Sequence, residues 1–135
     1  MTLKTTCLAA TFVFATAIPA LAHHSFAMFA NDKTVKIIGT VKALEWVNPH
    51  SWLHVVAMGA KGVPEEWAFE LGSPGMMATR GWKKDTLKVG DKITVVAHPM
   101  RDPEAHGGSE MSVTLPSGAV LGSSQPAKKG SGPYY

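Results

Sequence analysis

Thr34-Val35-Lys36-Ile37-Ile38-Gly39-Thr40-Val41-Lys42-Ala43-Leu44-Glu45-Trp46 is the stretch on which the fold turns. Val35, Ile37, Gly39, Val41 and Ala43 alternate with Thr34, Lys36, Thr40 and Lys42, the period of two expected of a half-buried strand. The phase slips around Leu44, because Trp46 falls in step with the formerly polar set. An extra residue changes the face that later side chains occupy, and a glycine inside a strand marks a bend or a close backbone approach. Slip and glycine together predict a long first strand that is bulged or strongly coiled.

Downstream, short strands alternate with turn signals. Asn48-Pro49-His50-Ser51 carries turn chemistry, and Trp52 to Met58 reads as the second strand. After the Gly59–Gly62 turn, Glu66 to Leu71 shows the cleanest alternation, with Trp67, Phe69 and Leu71 on one side and Glu66, Ala68 and Glu70 on the other. Ser73 and Pro74 suit the N-cap and first position of a short helix over Met76–Arg80, ended by Gly81. Lys92 to His98 is a fourth strand, Arg101 to Gly108 an exposed loop, Met111 to Leu115 a fifth strand, and Ala119 to Leu121 a short return strand. Strand, strand, strand, helix, strand, strand is the plan of an OB-like barrel. The expectation is an all-β, five- to six-stranded antiparallel OB-like barrel with one short helix between strands 3 and 4.

The chain begins differently. Lys4 supplies a positive charge, Cys7 to Ile18 an apolar run, and Pro19 a break before Ala20-Leu21-Ala22, whose small residues suit a signal peptidase. The run is shorter than the ~20 residues of a spanning helix, and Cys7 lies too early in it for a lipid-bearing cysteine. Residues 1–22 therefore read as a cleavable signal, 23–33 as an N-terminal arm, 34–121 as the barrel and 122–135 as a disordered Gly/Ser/Pro/Lys tail. Export to the periplasm, with no stable membrane anchor after cleavage, is the implied location. Cleavage removes Cys7, the one cysteine, leaving about 110 residues, enough for one thiol-free core. The 13 Lys+Arg and 10 Asp+Glu are dispersed, with no basic stripe interleaved with aromatics, which argues against a nucleic-acid partner.

Several segments carry a family resemblance: His23-His24-Ser25-Phe26, Gly39-Thr40-Val41-Lys42, Glu45-Trp46-Val47-Asn48-Pro49-His50-Ser51, Gly72-Ser73-Pro74 and Arg80-Gly81-Trp82. Leu87-Lys88-Val89-Gly90-Asp91, His98-Pro99-Met100-Arg101-Asp102 and Val113-Thr114-Leu115-Pro116 complete the set. Together they resemble a family of small bacterial exported proteins described as a domain of unknown function. The resemblance implies a periplasmic home in a Gram-negative cell and assigns no reaction.

Two groups are candidates for chemistry. Cleavage after Ala22 would give His23 a free amine beside its imidazole, a chelating pair, with His24 next and His50 as a third nitrogen donor. Nitrogen donors of this kind favour Cu(II), while thioethers from Met28, Met58 and Met100 suit Cu(I). Against this, a His-His start is compatible with a plain polar terminus, and Met28 with core packing. Trp46 and Trp52 flank the Asn48–Ser51 turn and with Asn48 make a candidate ligand surface, although core packing is the favoured reading of each tryptophan. No nucleophile motif, phosphate loop, Cys-His zinc pattern or haem attachment motif occurs. The leading expectation is a non-enzymatic periplasmic binding or accessory module for a small molecule, metal or protein; the alternative is a copper-binding protein.

Overall fold

A computed structural model describes residues 26–122. The expected signal segment, His23, His24 and all of the tail beyond Gly122 lie outside those residues. Six strands and one helix follow a short 3-10 turn, Phe26–Met28. They are β1 (Val35–Glu45), β2 (Trp52–Met58), β3 (Pro64–Glu70), α1 (Pro74–Ala78), β4 (Lys92–Pro99), β5 (Gly107–Thr114) and β6 (Val120–Leu121). The strand order β3-β2-β1-β4-β5-β6, with β3 also paired to β5, closes a five-stranded barrel with β6 as an appended edge. The helix lies between β3 and β4. This is the expected OB-like plan, and its closing β3–β5 pair is parallel.

Strand β1 serves both halves of the barrel. Residues Val35–Thr40 pair with β4, and Gly39–Glu45 pair with β2. The register shifts between Val41 and Ala43, so the extra residue is Lys42. Before the shift Val41 faces inward opposite Val55; after it Leu44 faces inward opposite Leu53. The slip of hydrophobic phase is this bulge. Gly39 has its own reason: a Cβ there would stand 2.6 Å from the Val56 carbonyl oxygen.

The core gathers Val41, Leu53, Val55, Phe69, Val95 and Val113, each 2 % exposed or less. A fully buried side chain of this size contributes about 1.5–3 kcal/mol of hydrophobic stabilisation. Helix α1 closes one end of the barrel. Ser73 Oγ accepts from Met76 N at 3.3 Å, Pro74 starts the helix, and Met77 points into the core with 0 % exposure. Trp82 follows into the same plug, and its Nε1 donates to the Gly122 carbonyl at 3.2 Å.

Strand β5 corrects the sequence reading. Gly107 and Gly108, expected in an exposed loop, begin the strand and pair with Ala68 and Phe69 of β3. The glycines permit it: a Cβ on Gly107 would lie 2.6 Å from the Ala68 oxygen, and one on Gly108 2.3 Å from the His98 oxygen. These are contacts that real Cβ atoms do not make, so the seam closes only over bare backbone. Farther along β5 a register shift opposite Val96 and Ala97 turns Glu110 to the inside, where it is 1 % exposed.

The arm docks against the end of β4. Phe29 bridges to Met100 and is 1 % exposed, while Arg101 N and Nε donate to the carbonyls of Met28 and Ala27, each at 2.8 Å. Met28 itself is 43 % exposed, which corrects the expectation that it packs in the core. The local turn aims Phe29 inward, and Met28 is left facing solvent. Among the described residues no helix is long and apolar enough to cross a membrane.

Candidate binding face

Alternation along β2 sends Leu53, Val55 and Ala57 into the core and leaves Trp52, His54, Val56 and Met58 on the outer face. Cross-strand pairing then decides their neighbours. Trp52 stands between Glu45 of β1 and Glu70 of β3, and His54 between Ala43 and Ala68. The bulge at Lys42 puts Glu45 on this outer face.

The Asn48–Ser51 turn, which contains a cis Asn48–Pro49 bond, extends the ladder past Trp52. Ser51 N donates to Gly72 O at 3.1 Å and Leu71 N donates to Ser51 O at 2.9 Å, so the backbones stay paired and Ser51 is fully buried. This brings His50 alongside Glu70, and His50 Nδ1 pairs with Glu70 Oε1. The Glu70 side chain is only 9 % exposed, whereas that of His50 is 39 % exposed. A carboxylate on Nδ1 sets the tautomer and ring orientation, and leaves Nε2 for an outside partner. His50 therefore locks the turn through a carboxylate on the next strand.

His54 is arranged otherwise. Its Nε2 lies 3.2 Å from Glu45 Oε1 and its Nδ1 3.4 Å from Glu66 Oε1. Both nitrogens are engaged, so an incoming ligand must displace a carboxylate to use either. Glu66 also pairs with Lys42. The Lys42 hydrogen bond, aided by the charges of Lys42 and His54, holds the Glu66 carboxyl below its usual value. Around His54 the face thus sets the Glu45 and Glu66 carboxylates against the Lys42 ammonium.

Beyond His54 the same face turns apolar. Ile38, Val56, Met58 and Pro64 line a shallow groove with Lys92 at its rim, and Ile38 and Met58 are 69 % and 68 % exposed. Around the barrel, His106 stacks on Trp67 at 5.1 Å between centroids, with Nε2 3.6 Å from Glu65. His98 Nδ1 lies 2.8 Å from the Lys33 carbonyl and ties down the arm.

The candidate residues are therefore dispersed in an informative way. Trp46 packs against the core, whereas Trp52 stands on the outer face, so the two indoles do not share one surface. Asn48 is exposed in the turn. His50 belongs to the Glu70 pair, and His23 and His24 lie outside the described residues. Met58 is on the outer face of β2, Met100 bridges to Phe29 of the arm, and Met28 is exposed beside it. Among the described residues no group of three or more His, Cys, Asp or Glu side chains is spaced to hold a metal ion. Sequence reasoning missed Glu70, Glu45 and Glu66 as partners, because only strand register shows which carboxylate meets which imidazole. The alternation of β3, with Glu66 and Glu70 opposite Phe69, was the available signal.

A family model described as a family of unknown function (DUF6152) matches residues 10–109, from the expected apolar leader into β5. Comparisons with curated proteins and with solved structures find no match.

Proposed function

The chain belongs to the DUF6152 family of unknown function, and on that premise we propose that it is a non-enzymatic, exported binding module of the periplasm. Its ligand would sit on the outer face of β1–β3, at the end bearing Trp52 and His50. One observation carries this reading: a half-exposed imidazole, oriented by a nearly buried carboxylate, stands at the end of a strand whose next outward side chain is an indole. The Glu70 carboxylate fixes the orientation of the half-exposed His50 ring. An indole offers stacking area, and the open Nε2 supplies a directional polar contact.

The test uses the low-molecular-weight fraction of a periplasmic extract, added to isotope-labelled protein beginning at His23. The expected result is a shift of the Trp52 indole N–H and His50 ring signals, lost in His50→Ala and Trp52→Ala. Shifts confined to other surfaces would overturn the assignment of the face. Export is checked separately by fractionating cells for a product beginning at His23.

A second reading is copper binding by His23, His24 and His50. It is favoured by the Glu70 carboxylate on His50 Nδ1, the arrangement that commonly supports a metal-ligating imidazole. Cu(II) titration followed by electron paramagnetic resonance tests it. Tight, stoichiometric binding should vanish when a glycine precedes His23 and weaken in His50→Ala. Loss in His106→Ala instead would move the third nitrogen to the end where the arm docks. Weak binding indifferent to the extension would end the copper reading.

A further inference from the structure

The Met58 end of the outer face has a chemistry of its own, independent of the Trp52–His50 site. Trp52 and Met58 are six residues apart on β2, roughly 20 Å at the rise of a β-strand. Met58 pairs with Pro64 of β3, Ile38 of β1 pairs with Thr94 of β4, and Ile38, Met58 and Pro64 line one groove. Ile38, Met58 and the neighbouring Val63 are 69 %, 68 % and 58 % exposed. A single exposed apolar side chain needs no explanation, but a contiguous set marks a surface that meets something less polar than water.

The β2–β3 turn that carries this patch is closed on itself. Gly59 N donates to Val63 O and Gly62 N donates to Gly59 O, each at 2.9 Å, with Gly62 at a φ of 73°. Pro64 has no N–H to satisfy. The turn therefore presents little bare backbone, which is what entry into a non-aqueous interface demands. Lysines frame the patch: Lys36 is one outward step from Ile38 on β1, Lys61 is in the turn, and Lys92 is at the rim of the groove. All three are exposed, and none makes an ion pair among the described residues. Glu66, which borders the groove opposite Val56, is already engaged by Lys42 and His54, and Glu65 by His106.

We infer that Ile38, Met58, Val63 and Pro64 form a reversible docking site for an anionic lipid bilayer, with Lys36, Lys61 and Lys92 at the level of the headgroup phosphates. Shallow apolar insertion and attraction of lysines to anionic lipid reinforce one another in such binding. Charge complementarity selects this occupant over a second copy of the chain, because two copies packed face to face would crowd both sets of lysines around one apolar centre. With the β2–β3 turn leading, Trp52 and His50 stand up the strand, clear of the bilayer.

The test mixes the chain beginning at His23, which lacks the apolar leader, with sucrose-loaded vesicles of phosphatidylglycerol and phosphatidylcholine, and separately with vesicles of phosphatidylcholine alone. The expected result is co-sedimentation with the anionic vesicles, weaker on the neutral ones and falling as salt rises. Lys36→Gln, Lys61→Gln and Lys92→Gln should each lower the partition coefficient roughly fivefold. Met58→Asp/Val63→Asp should abolish sedimentation while circular dichroism reports the parent fold, since both positions are exposed. A nitroxide-bearing lipid should broaden the amide signals of Ile38, Met58 and Val63 and spare Met77 at the α1 end. Absence of sedimentation overturns the inference, and so does sedimentation that survives Met58→Asp/Val63→Asp. Sedimentation lost only in Lys128→Glu/Lys129→Glu also overturns it, by moving the membrane contact to the tail. Self-association without vesicle binding, abolished by Met58→Asp, overturns it in favour of a second copy. The extract titration of Trp52 and His50 is read without vesicles, so either reading can fail and leave the other standing.

Discussion

The two sides of β2 differ more than any two loops of this protein. Its inner residues Leu53, Val55 and Ala57 pack into a dry core, while its outer residues Trp52, His54, Val56 and Met58 pass from charged and aromatic to bare apolar surface. One strand therefore holds the barrel together with every second residue and offers a surface with the rest. The difference teaches that stability and binding should be separable by parity. A substitution on the inner side should cost folding energy, and one on the outer side should cost recognition with little loss of stability.

The largest expected effect is on the inner side. Leu53→Ala removes a fully buried side chain and should lower unfolding free energy by about 2–5 kcal/mol, read from urea denaturation. At the β5 seam, Gly108→Ala forces a Cβ toward the His98 oxygen and should cost about 1–3 kcal/mol by the same measurement. A near-zero cost there would mean that the seam opens easily and that the barrel is closed mainly by its other pairs. Glu70→Ala tests the boundary between the two sides, since the carboxylate is buried and its imidazole partner is not. It should cost about 1–3 kcal/mol and change the His50 tautomer balance seen by nitrogen NMR. His54→Ala and Trp52→Ala should stay within about 0.5 kcal/mol of the parent in stability. A larger loss in either would break the parity rule.

The smallest effect concerns Lys42. Because the Glu66 carboxyl is held below its usual value, its share of stability is present above the unfolded value, 4.5, and is lost as pH falls through the folded value. Lys42→Ala should move the Glu66 titration up toward 4.5 in a carboxyl NMR titration and flatten that part of the acid profile. An unchanged Glu66 titration would assign the depression to His54 instead.

Much of this arrangement was legible in the residues, and the illegible part has a physical cause. The alternation of Val35–Ala43 and its slip at Leu44 located both β1 and its bulge, because core burial writes itself into sequence with period two. The Ser73-Pro74 start of α1 was legible through capping chemistry, although the helix occupies Pro74–Ala78 and ends sooner than Arg80. Gly107 and Gly108 misled, since the same lack of a side chain that marks a loop also allows two backbones to approach at a closure. His50 was a visible candidate, yet its partner Glu70 lies twenty residues away and is identified only by the ladder that runs through Ser51 and Leu71. Trp46 and Trp52 looked equivalent around one turn, but the first turns to the core and the second stays outside.

The single extra residue at Lys42 has a consequence for how this chain can change. On either side of it β1 obeys opposite rules for odd and even positions, so the strand is two texts in different frames joined at one letter. Adding one residue between Val35 and Ile38 would scramble the half paired with β4 while the half paired with β2 still reads correctly. Deleting Lys42 itself would remove only the extra residue, leaving Val41 and Leu44 inward and Glu45 outward. Single-residue length changes to either side of the bulge should therefore damage the barrel one half at a time, whereas loss of Lys42 itself should keep the inward residues of both halves in step.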